Sequence, residues 1–287
     1  MMSIILTICY ILLAPLIGGL LDGIDRKISA KMQRRVGPPI LQPFYDVSKL
    51  LSKRPTAVCK SQNFLLLSYM VLIMLTGAFF FAGTDLLMCF FVLSTASTFL
   101  YFAGVVTSSP YASIGAQREL LAMMTYEPAV LFACVGFYLA TGSFNVADIA
   151  VQHNSAIIYL PGFFLAFIFI LTIKMRKSPF DLATSHHPNQ EIVKGITTDI
   201  GTRNLAIFTI TEWYENVFLL GVIGLFIINS SWISIIVAIV VVLLAYFLEI
   251  LIDNTSARVK WQTMLKTTWV FTLFTAGVNL IILMIIK

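Results

Sequence analysis

Two glutamates lie inside an apolar stretch in the second half of the chain. Glu212 and Glu215 are three residues apart, so on a helix they share one face. If that helix begins near Asn204, Glu212 lies about 12 Å along it at 1.5 Å per residue. Ionisable side chains at such depth usually face a bundle interior or a wet path and serve ion transfer. We therefore predict an ion pathway through both carboxylates; the alternative is a helix that starts at Asn216 and leaves them at the interface.

Two further acids stand at the ends of apolar runs. Glu249 closes a later run and Asp253 follows one turn on, so an interfacial place and a pathway role both remain open. Glu127 precedes Pro128, which is typical of a first helical turn. Taken alone, Glu127 fits an acid that the helix dipole stabilises at a helix terminus.

The chain offers little for metal, nucleotide or hydrolytic chemistry. His186 and His187 are adjacent, so they cannot easily ligate one metal together, and they fit a protonatable or partner-contacting loop better. No P-loop, G-x-G-x-x-G motif or nucleophile triad is present. The cysteines are scattered without a C-x-x-C pair, at Cys9, Cys59, Cys89 and Cys134. We expect no catalytic residue, metal site or cofactor on this chain.

The composition is that of an integral membrane protein. Of the 287 residues, 59% are hydrophobic and only 11% are charged. A soluble fold with these proportions would have too few polar residues to face water. The net charge of +5 borders apolar segments, so lipid headgroups explain it better than nucleic acid. The sequence therefore predicts an all-α, multi-pass protein of the cell membrane, with residues 1–287 forming a single polytopic domain and no nucleic-acid partner.

Apolar runs long enough to cross a bilayer predict eight transmembrane helices. Basic residues concentrate in the four longer connections, 22–63, 108–127, 174–203 and 250–267. Because cytoplasmic loops carry the Lys and Arg excess, these large loops are predicted to be cytoplasmic and both termini to lie outside. The predicted spans are 2–21, 64–84, 86–107, 128–147, 155–173, 204–228, 232–249 and 268–286.

Loop 174–203 is rich in aromatic, histidine and acidic residues between two spans. A solvated connector can have such a composition, but we favour a docking or coupling surface because loops often carry function. From the residues alone, the chain is an ion-conducting subunit or a solitary transporter with buried carboxylates.

Three long stretches resemble one known family, in order and over nearly the whole chain. Residues 24–51 read IDRKISAKMQRRVGPPILQPFYDVSKLL, similar to the family pattern E-R-K-x-x-x-x-M-Q-x-R-x-G-P followed by L-Q-P-x-x-D-x-x-K-L. Residues 111–128 read YASIGAQRELLAMMTYEP, and residues 178–200 with 210–220 supply P-F-D-L, E-I-V-x-G and the acid of the sixth span. The family is the membrane subunit that joins the two arms of respiratory complex I and of energy-converting NiFe hydrogenases.

Departures from the pattern favour the hydrogenase branch (group 4, Ech or formate hydrogenlyase type). Quinone-reducing members carry several glutamates after P-F-D-L, whereas this chain has residues 183–190 without an acid and only Glu191 after them. The first loop also lacks a short insertion between G-P and L-Q-P. The alternatives are a quinone-binding subunit of a complex I-like NADH or ferredoxin:quinone oxidoreductase, and a stand-alone transporter or structural anchor.

The resemblance implies a coupling subunit without a redox centre of its own. Its expected partners are the NiFe hydrogenase large and small subunits, an iron–sulfur subunit and antiporter-like membrane subunits, with reduced ferredoxin or formate supplying electrons to the peripheral arm on the cytoplasmic side. The partner subunits carry the NiFe centre and the iron–sulfur clusters in this prediction. The implied roles are an ion pathway of Glu127, Glu212, Glu215 and Glu249, carrying H⁺ or Na⁺; a coupling loop of Arg118, Asp181, His186, His187, Glu191 and Asp199; and peripheral-arm docking by Asp25, Arg26, Arg34, Arg35 and Asp46.

Overall fold

The computed structural model describes residues 2–54, 59–184 and 192–286, and these residues are mostly helical, with no β-strand beyond isolated bridges. The predicted all-α membrane fold is confirmed. The helices are α1 (Met2–Met32), α2 (Gln42–Ser52), α3 (Lys60–Ala82), α4 (Leu86–Val105), α5 (Pro110–Thr141), α6 (Val146–Ala150), α7 (Pro161–Lys174), α8 (Thr202–Leu225), α9 (Trp232–Thr255), α10 (Trp261–Thr272) and α11 (Val278–Ile286).

In the part of the chain that the structure describes, seven helical segments are long and apolar enough to cross a membrane. The last of them joins α10 and α11 through a π-helical turn, Leu273–Gly277, into one apolar segment. The fifth predicted span corresponds to α7, which has only 14 residues and is therefore about 21 Å long. Eight crossings and the side on which the termini lie remain predictions.

The predicted loop 108–127 is wrong, because α5 is continuous from Pro110 to Thr141. Ser109 caps its first turn by accepting a hydrogen bond from the Ala112 amide, and Pro110 stands where a proline suits a helix start. Pro128 therefore lies inside the helix, where it leaves the Met124 carbonyl without its usual helical donor. Glu127 is a mid-helix residue rather than the first residue of a span.

The first cytoplasmic connection is partly helical. Helix α1 continues to Met32, and α2 is a short amphipathic helix that packs on α8 through Phe44 and Trp213, whose ring centroids are 5.3 Å apart. A salt bridge of 2.8 Å from Arg26 to Asp46 joins α1 to α2. These contacts hold α2 along the ends of the spans that are predicted to be cytoplasmic.

The opposite end of the bundle has short connections that are bonded to one another. The Leu86 amide donates to the Phe144 carbonyl (2.9 Å) and the Val146 amide to the Thr84 carbonyl (3.0 Å). The Ile157 amide donates to the carbonyl of Phe226 just after α8 (2.7 Å). Helix α7 therefore starts beside the outer end of α8 and runs inward.

Aromatic side chains fill the centre between α3, α4, α7 and α8. Phe218 packs edge-on against Phe80 (5.4 Å) and Phe90 (5.9 Å), and Phe226 contacts Phe137 at 4.5 Å. These aromatic contacts pack the centre of the bundle, and the polar residues described next lie toward the end that is predicted to be cytoplasmic.

Candidate functional site

Helix α7 ends inside the bundle, and its last residue is a buried lysine. The Lys174 ammonium lies 2.7 Å from a Glu215 carboxylate oxygen, and the two side chains are only 4% and 3% exposed. Lys174 also donates to the Ser97 hydroxyl (3.1 Å) and stands over the Tyr126 ring at 4.6 Å. The other Glu215 oxygen accepts a hydrogen bond from Tyr69 (3.0 Å). Every polar group of this pair is thus satisfied away from water.

Two residues later, Arg176 bridges two further glutamates. Its guanidinium donates twice to Glu119, at 2.9 and 3.3 Å, and once to Glu212 at 2.8 Å. Arg176 has a φ of 51°, in the left-handed region that non-glycine residues rarely adopt. The backbone reverses here, which lets a short non-helical segment aim successive side chains at α5 and α8.

The third basic residue, Lys177, reaches α1. Its ammonium lies 2.8 Å from Asp25 and 4.8 Å from the centre of the Tyr246 ring. Asp25 also accepts from Ser29, and Ser29 accepts from Asn254, so α1, α9 and this segment are joined. We call the following seven side chains the ion-pair cluster: Asp25, Glu119, Lys174, Arg176, Lys177, Glu212 and Glu215.

The segment that carries these bases is buried although it is not helical. Residues 175–184 are mostly buried, and the Ser178 amide donates to Asp253 at 2.8 Å. Non-helical backbone at membrane depth is tolerated where protein surrounds it. Loop 174–203 is predicted as a docking or coupling surface, but its first three bases, Lys174, Arg176 and Lys177, are buried and face acids from α1, α5 and α8 instead of water.

Arg176 stays charged in this setting. A guanidinium does not lose its proton in proteins. Arg176 is the base of the cluster that contacts two acids, Glu119 and Glu212.

Glu249 lies beside the cluster without a hydrogen bond. It is fully buried on α9, and neither carboxylate oxygen has a partner among the residues that the structure describes. It follows Tyr246, which Lys177 contacts, by one helical turn. An ionised carboxylate without a partner is costly to bury, so Glu249 is suited to binding a proton or another cation.

Glu127 is outside the ion-pair cluster. It is half-buried and lies eight residues, about 12 Å, beyond Glu119 along α5. It borders a stripe of exposed apolar residues that includes Met124 and Leu131. The structure does not bring Glu127 to Arg118, which instead donates to the Leu182 carbonyl at 3.5 Å.

The predicted coupling-loop residues divide into three groups. Asp181 is buried and paired with Arg258 (2.8 Å), whereas Asp199 is exposed. Gly195 and Thr184 form an isolated bridge that folds the later part of the loop onto α5. His186, His187 and Glu191 lie outside the described residues.

Among the predicted docking residues, only two are fully available at the surface. Arg34 and Arg35 are exposed after the end of α1. Asp25 points inward to Lys177, and Arg26 is held between Asp22 (3.1 Å) and Asp46 (2.8 Å). The acid–base pairs of this region therefore connect segments of this chain to one another.

Sequence reasoning missed Glu119 and the three bases of the cluster. Glu119 was overlooked because residues 108–127 were expected to form a loop. Extending α5 back to Pro110 places Glu119, Met123 and Tyr126 on one buried face at i, i+4 and i+7, which is a signal that the sequence does contain. No comparable signal pairs residues as distant as Lys177 and Asp25.

No group of three His, Cys, Asp or Glu side chains is arranged to hold a metal ion within residues 2–54, 59–184 and 192–286. The arrangement is instead one of carboxylates matched with ammonium and guanidinium groups. Carboxylates in such an arrangement are groups that could hold a cation.

The sequence matches the NADH dehydrogenase family over residues 3–284. It is 27% identical to Hydrogenase-4 component C of Escherichia coli (strain K12), an alignment that covers 87% of this chain and 86% of that protein. Formate hydrogenlyase subunit 4 of the same bacterium is 26% identical, covering 93% of this chain and 95% of that protein. A subunit of the NADH-quinone oxidoreductase of Aquifex aeolicus (strain VF5) is also 26% identical, over 75% of this chain and 73% of that protein.

A solved structure has the same fold over almost the entire chain. A chain of the membrane-bound sulfane sulfur reductase (MBS), an archaeal respiratory membrane complex, superimposes with a TM-score of 0.88 at 21% sequence identity, covering 99% of this chain and 100% of that one. The predicted resemblance is confirmed. The chain belongs to the NADH dehydrogenase family, and within this family it is a membrane subunit of the group 4 hydrogenase type, which is related to complex I.

Proposed function

We propose that this chain is the membrane-anchor and coupling subunit of a multisubunit energy-converting NiFe hydrogenase. In this role it links electron transfer from ferredoxin to proton reduction in a peripheral arm with translocation of H⁺ or Na⁺ across the membrane. The observation that carries the proposal is the ion-pair cluster, which gathers charges from α1, α5, α7 and α8 inside a membrane bundle. Buried ionisable residues of membrane proteins typically mark ion pathways.

The charge balance of the cluster supports cation uptake. Its four acids exceed its three bases by one, and Glu249 adds a further carboxylate beside it. Surplus negative charge in a low-dielectric interior is unfavourable unless a cation neutralises it. A proton or Na⁺ bound near Glu212 or Glu249 would do so, and a change in the position of the three bases would alter its affinity.

The cluster also provides a route by which a docked arm can act on the membrane. Lys174, Arg176 and Lys177 are continuous with the segment that reaches Ile196 and Asp199 at the cytoplasmic side. Peripheral subunits docking on 22–63 and on this segment would shift the bases by pulling on the same backbone. Antiporter-like partner subunits would then receive the ion or the electrostatic signal at the α5 face that carries Glu127.

The carboxylates are tested in the intact complex reconstituted into vesicles. We expect Glu249→Gln and Glu212→Gln to reduce ion uptake per hydrogen evolved to the background of protein-free vesicles, while hydrogen evolution persists when the membrane is made leaky. Asp148→Asn, on the exposed outer connection, is the matched control. Normal ion uptake in both glutamine variants, with normal assembly, would contradict the pathway.

The electron-transfer partner is tested by purifying the chain in mild detergent with whatever subunits accompany it. The proposal requires nickel in the eluate and hydrogen evolution from reduced ferredoxin. The relatives include a component of an NADH-quinone oxidoreductase, so a complex I-like quinone-binding subunit is the second candidate. A nickel-free complex that reduces quinone would establish that second candidate instead.

A further inference from the structure

Glu249 is a buried carboxyl group that the ion-pair cluster does not use. Its exposed fraction on α9 is 0%, and neither of its oxygens has a hydrogen-bond partner among residues 2–54, 59–184 and 192–286. The Glu215 carboxylate is buried to a similar degree, but it accepts hydrogen bonds from Lys174 and Tyr69. The burial of Glu249 therefore lacks the compensating hydrogen bonds that Glu215 receives.

The charged side chains that face Glu249 have partners of their own. They are Lys177, from the buried segment after α7, and Asp253, from the next turn of α9. The Lys177 ammonium lies 2.8 Å from an Asp25 oxygen, and Asp253 accepts a hydrogen bond from the Ser178 amide at 2.8 Å. The cation that faces Glu249 is thus already bound to another carboxylate.

The charged groups of the other helices packed against α9 are also engaged. On α1, Asp22 and Asp25 face Tyr246, one helical turn before Glu249. The Tyr246 hydroxyl donates to the Leu21 carbonyl at 3.0 Å, so this hydrogen is not available to Glu249. The charged side chains that α7 and α8 contribute to the ion-pair cluster are paired there: Lys174, Glu212 and Glu215.

A proton and Na⁺ require different surroundings for such a carboxyl group. A proton neutralises it through one covalent O–H bond, whereas a hard metal cation is held by several oxygen ligands at once. Transporters that bind Na⁺ supply carbonyl ligands from unwound helices. Helix α9 is continuous from Trp232 to Thr255, so the carbonyls around Glu249 accept the hydrogen bonds of the helix itself. The described part of the chain also contains no group of three His, Cys, Asp or Glu arranged to hold a metal ion.

We propose that Glu249 is a proton-specific site: its carboxyl group is protonated in the resting protein at neutral pH and exchanges this proton without binding Na⁺. The inference deepens the proposed function and rests on it for the role of the exchanged proton. Protonation removes the charge, so the group stays buried without an ion pair. Loss of the proton creates an anion that competes with Asp25 for Lys177. Proton exchange at Glu249 and the position of Lys177 are therefore linked.

The first test is labelling of the assembled, resting complex with dicyclohexylcarbodiimide, an apolar reagent that reacts with protonated carboxyl groups. The carboxyl proton passes to a reagent nitrogen and the carboxylate oxygen adds to the central carbon. Rearrangement to an N-acylurea then leaves the whole reagent on the side chain, where peptide mass spectrometry detects it. We expect labelling of Glu249 to fall about tenfold per pH unit on the alkaline side of its titration. Replacing choline by Na⁺ at equal ionic strength should leave the labelling unchanged.

Glu215 is the matched control in the same digest. It is buried to a similar degree but paired with Lys174, so it is held as an anion and should remain unlabelled.

Infrared difference spectroscopy of the same complex does not depend on access of a reagent. The C=O band of a protonated carboxyl group should be present in the unaltered complex and absent in Glu249→Gln, with equal intensity in Na⁺ and in choline. Glutamine has nearly the same shape as glutamic acid but binds no proton at neutral pH. Asp148→Asn, on the exposed outer connection, should keep the band.

The outcomes separate the possible states of Glu249. Protection from the reagent by Na⁺, or loss of the infrared band on addition of Na⁺, would assign a Na⁺ site and overturn the proposal. Absence of the band at neutral pH without Na⁺ would show that Glu249 is ionised beside Lys177 and would also overturn it. The band decides the matter if the reagent does not reach Glu249.

Failure of this inference is distinguishable from failure of the proposed function, because both measurements use resting protein. A Glu249 that Na⁺ protects, in a complex that pumps ions, contradicts only the proton assignment. Normal ion uptake by Glu249→Gln contradicts the pathway and leaves the proton assignment intact.

Discussion

At the scale of single residues, the cluster pairs each buried base with an acid on another helix. Lys174 and Glu215 are almost completely shielded from solvent, and Ser97, Tyr69 and Tyr126 are their other polar contacts among the described residues. A buried pair of this kind contributes little net stability when intact, because desolvation opposes attraction. Removing one member leaves an uncompensated charge in the membrane interior.

We therefore predict that Lys174→Met and Glu215→Gln each destabilise the protein by about 3–5 kcal/mol. The double variant should recover most of this loss because no lone charge remains. The measurement is thermal unfolding in detergent, arranged as a double-mutant cycle.

The matched control for that cycle is Asp46→Asn, which breaks the half-exposed pair with Arg26. Exposed pairs are worth about 0–1 kcal/mol, so this variant should melt close to the unaltered protein. Additive effects of the two cluster substitutions would show that Lys174 and Glu215 do not act as a pair.

At the scale of elements, the short α7 and the continuous α5 create the site together. Helix α7 stops at Lys174 and leaves residues 175–184 as buried, non-helical chain. Helix α5 extends far enough toward the cytoplasm to present Glu119 to Arg176 and Gly115 to the returning segment. The returning segment approaches α5 closely because Gly115 has no side chain.

We predict that Gly115→Ala displaces residues 192–200 from α5. An added Cβ would lie 2.3 Å from the Ile196 nitrogen and 2.7 Å from the Gly195 carbonyl carbon, so the backbone must move. Overpacking of this kind costs about 1–3 kcal/mol. Limited proteolysis should then cleave the 178–203 segment faster, and peripheral subunits should be lost from the purified complex.

Gly224→Ala serves as the control for that substitution. A Cβ at Gly224 would meet its nearest neighbour, Val242, at an ordinary 3.8 Å. Its cleavage pattern and subunit content should match those of the unaltered chain. Unchanged proteolysis in Gly115→Ala would mean that the close approach does not restrain the segment.

At the scale of the whole molecule, polar structure is concentrated at one end. The connections at one end are short and hydrogen-bonded to each other, whereas α2 and the ion-pair cluster lie at the other end. Most of the remaining basic residues lie at that end even when Lys174, Arg176 and Lys177 are left out. The excess of Lys and Arg in cytoplasmic loops therefore still predicts that this end faces the cytoplasm.

We predict that Cys59 reacts with a membrane-impermeant maleimide only from the cytoplasmic side. Cys59 is exposed directly before α3, and Cys89 and Cys134 are buried. Cys9, within α1, is also exposed, so both vesicle experiments use a Cys9→Ser background. A cysteine placed at Asp148 in a Cys59→Ser background should react only from outside. Labelling of right-side-out and inverted vesicles measures both, and the reverse pattern would invert the topology.

Much of the architecture was predictable because it depends on composition. Runs of apolar residues must enter lipid wherever they occur, so seven predicted spans coincide with long helices. The predicted fourth span extends six residues beyond the end of α5 at Thr141. Its start was predicted at Pro128 instead of Pro110, because a proline is typical of the first turn of a helix. In a membrane bundle, neighbouring helices tolerate an internal proline.

The membrane class, the family and the helical positions of Glu212 and Glu215 were predictable from the amino-acid sequence, since these depend on apolar runs, ordered motifs and helical spacing. Which base each acid contacts depends on the tertiary fold. Arg176 and Glu212 are 36 residues apart, and Lys177 and Asp25 are 152 residues apart. Pairing over such distances follows from where α7 ends and how the backbone reverses at Arg176. Those features depend on the packing of the whole bundle, which no local sequence pattern predicts.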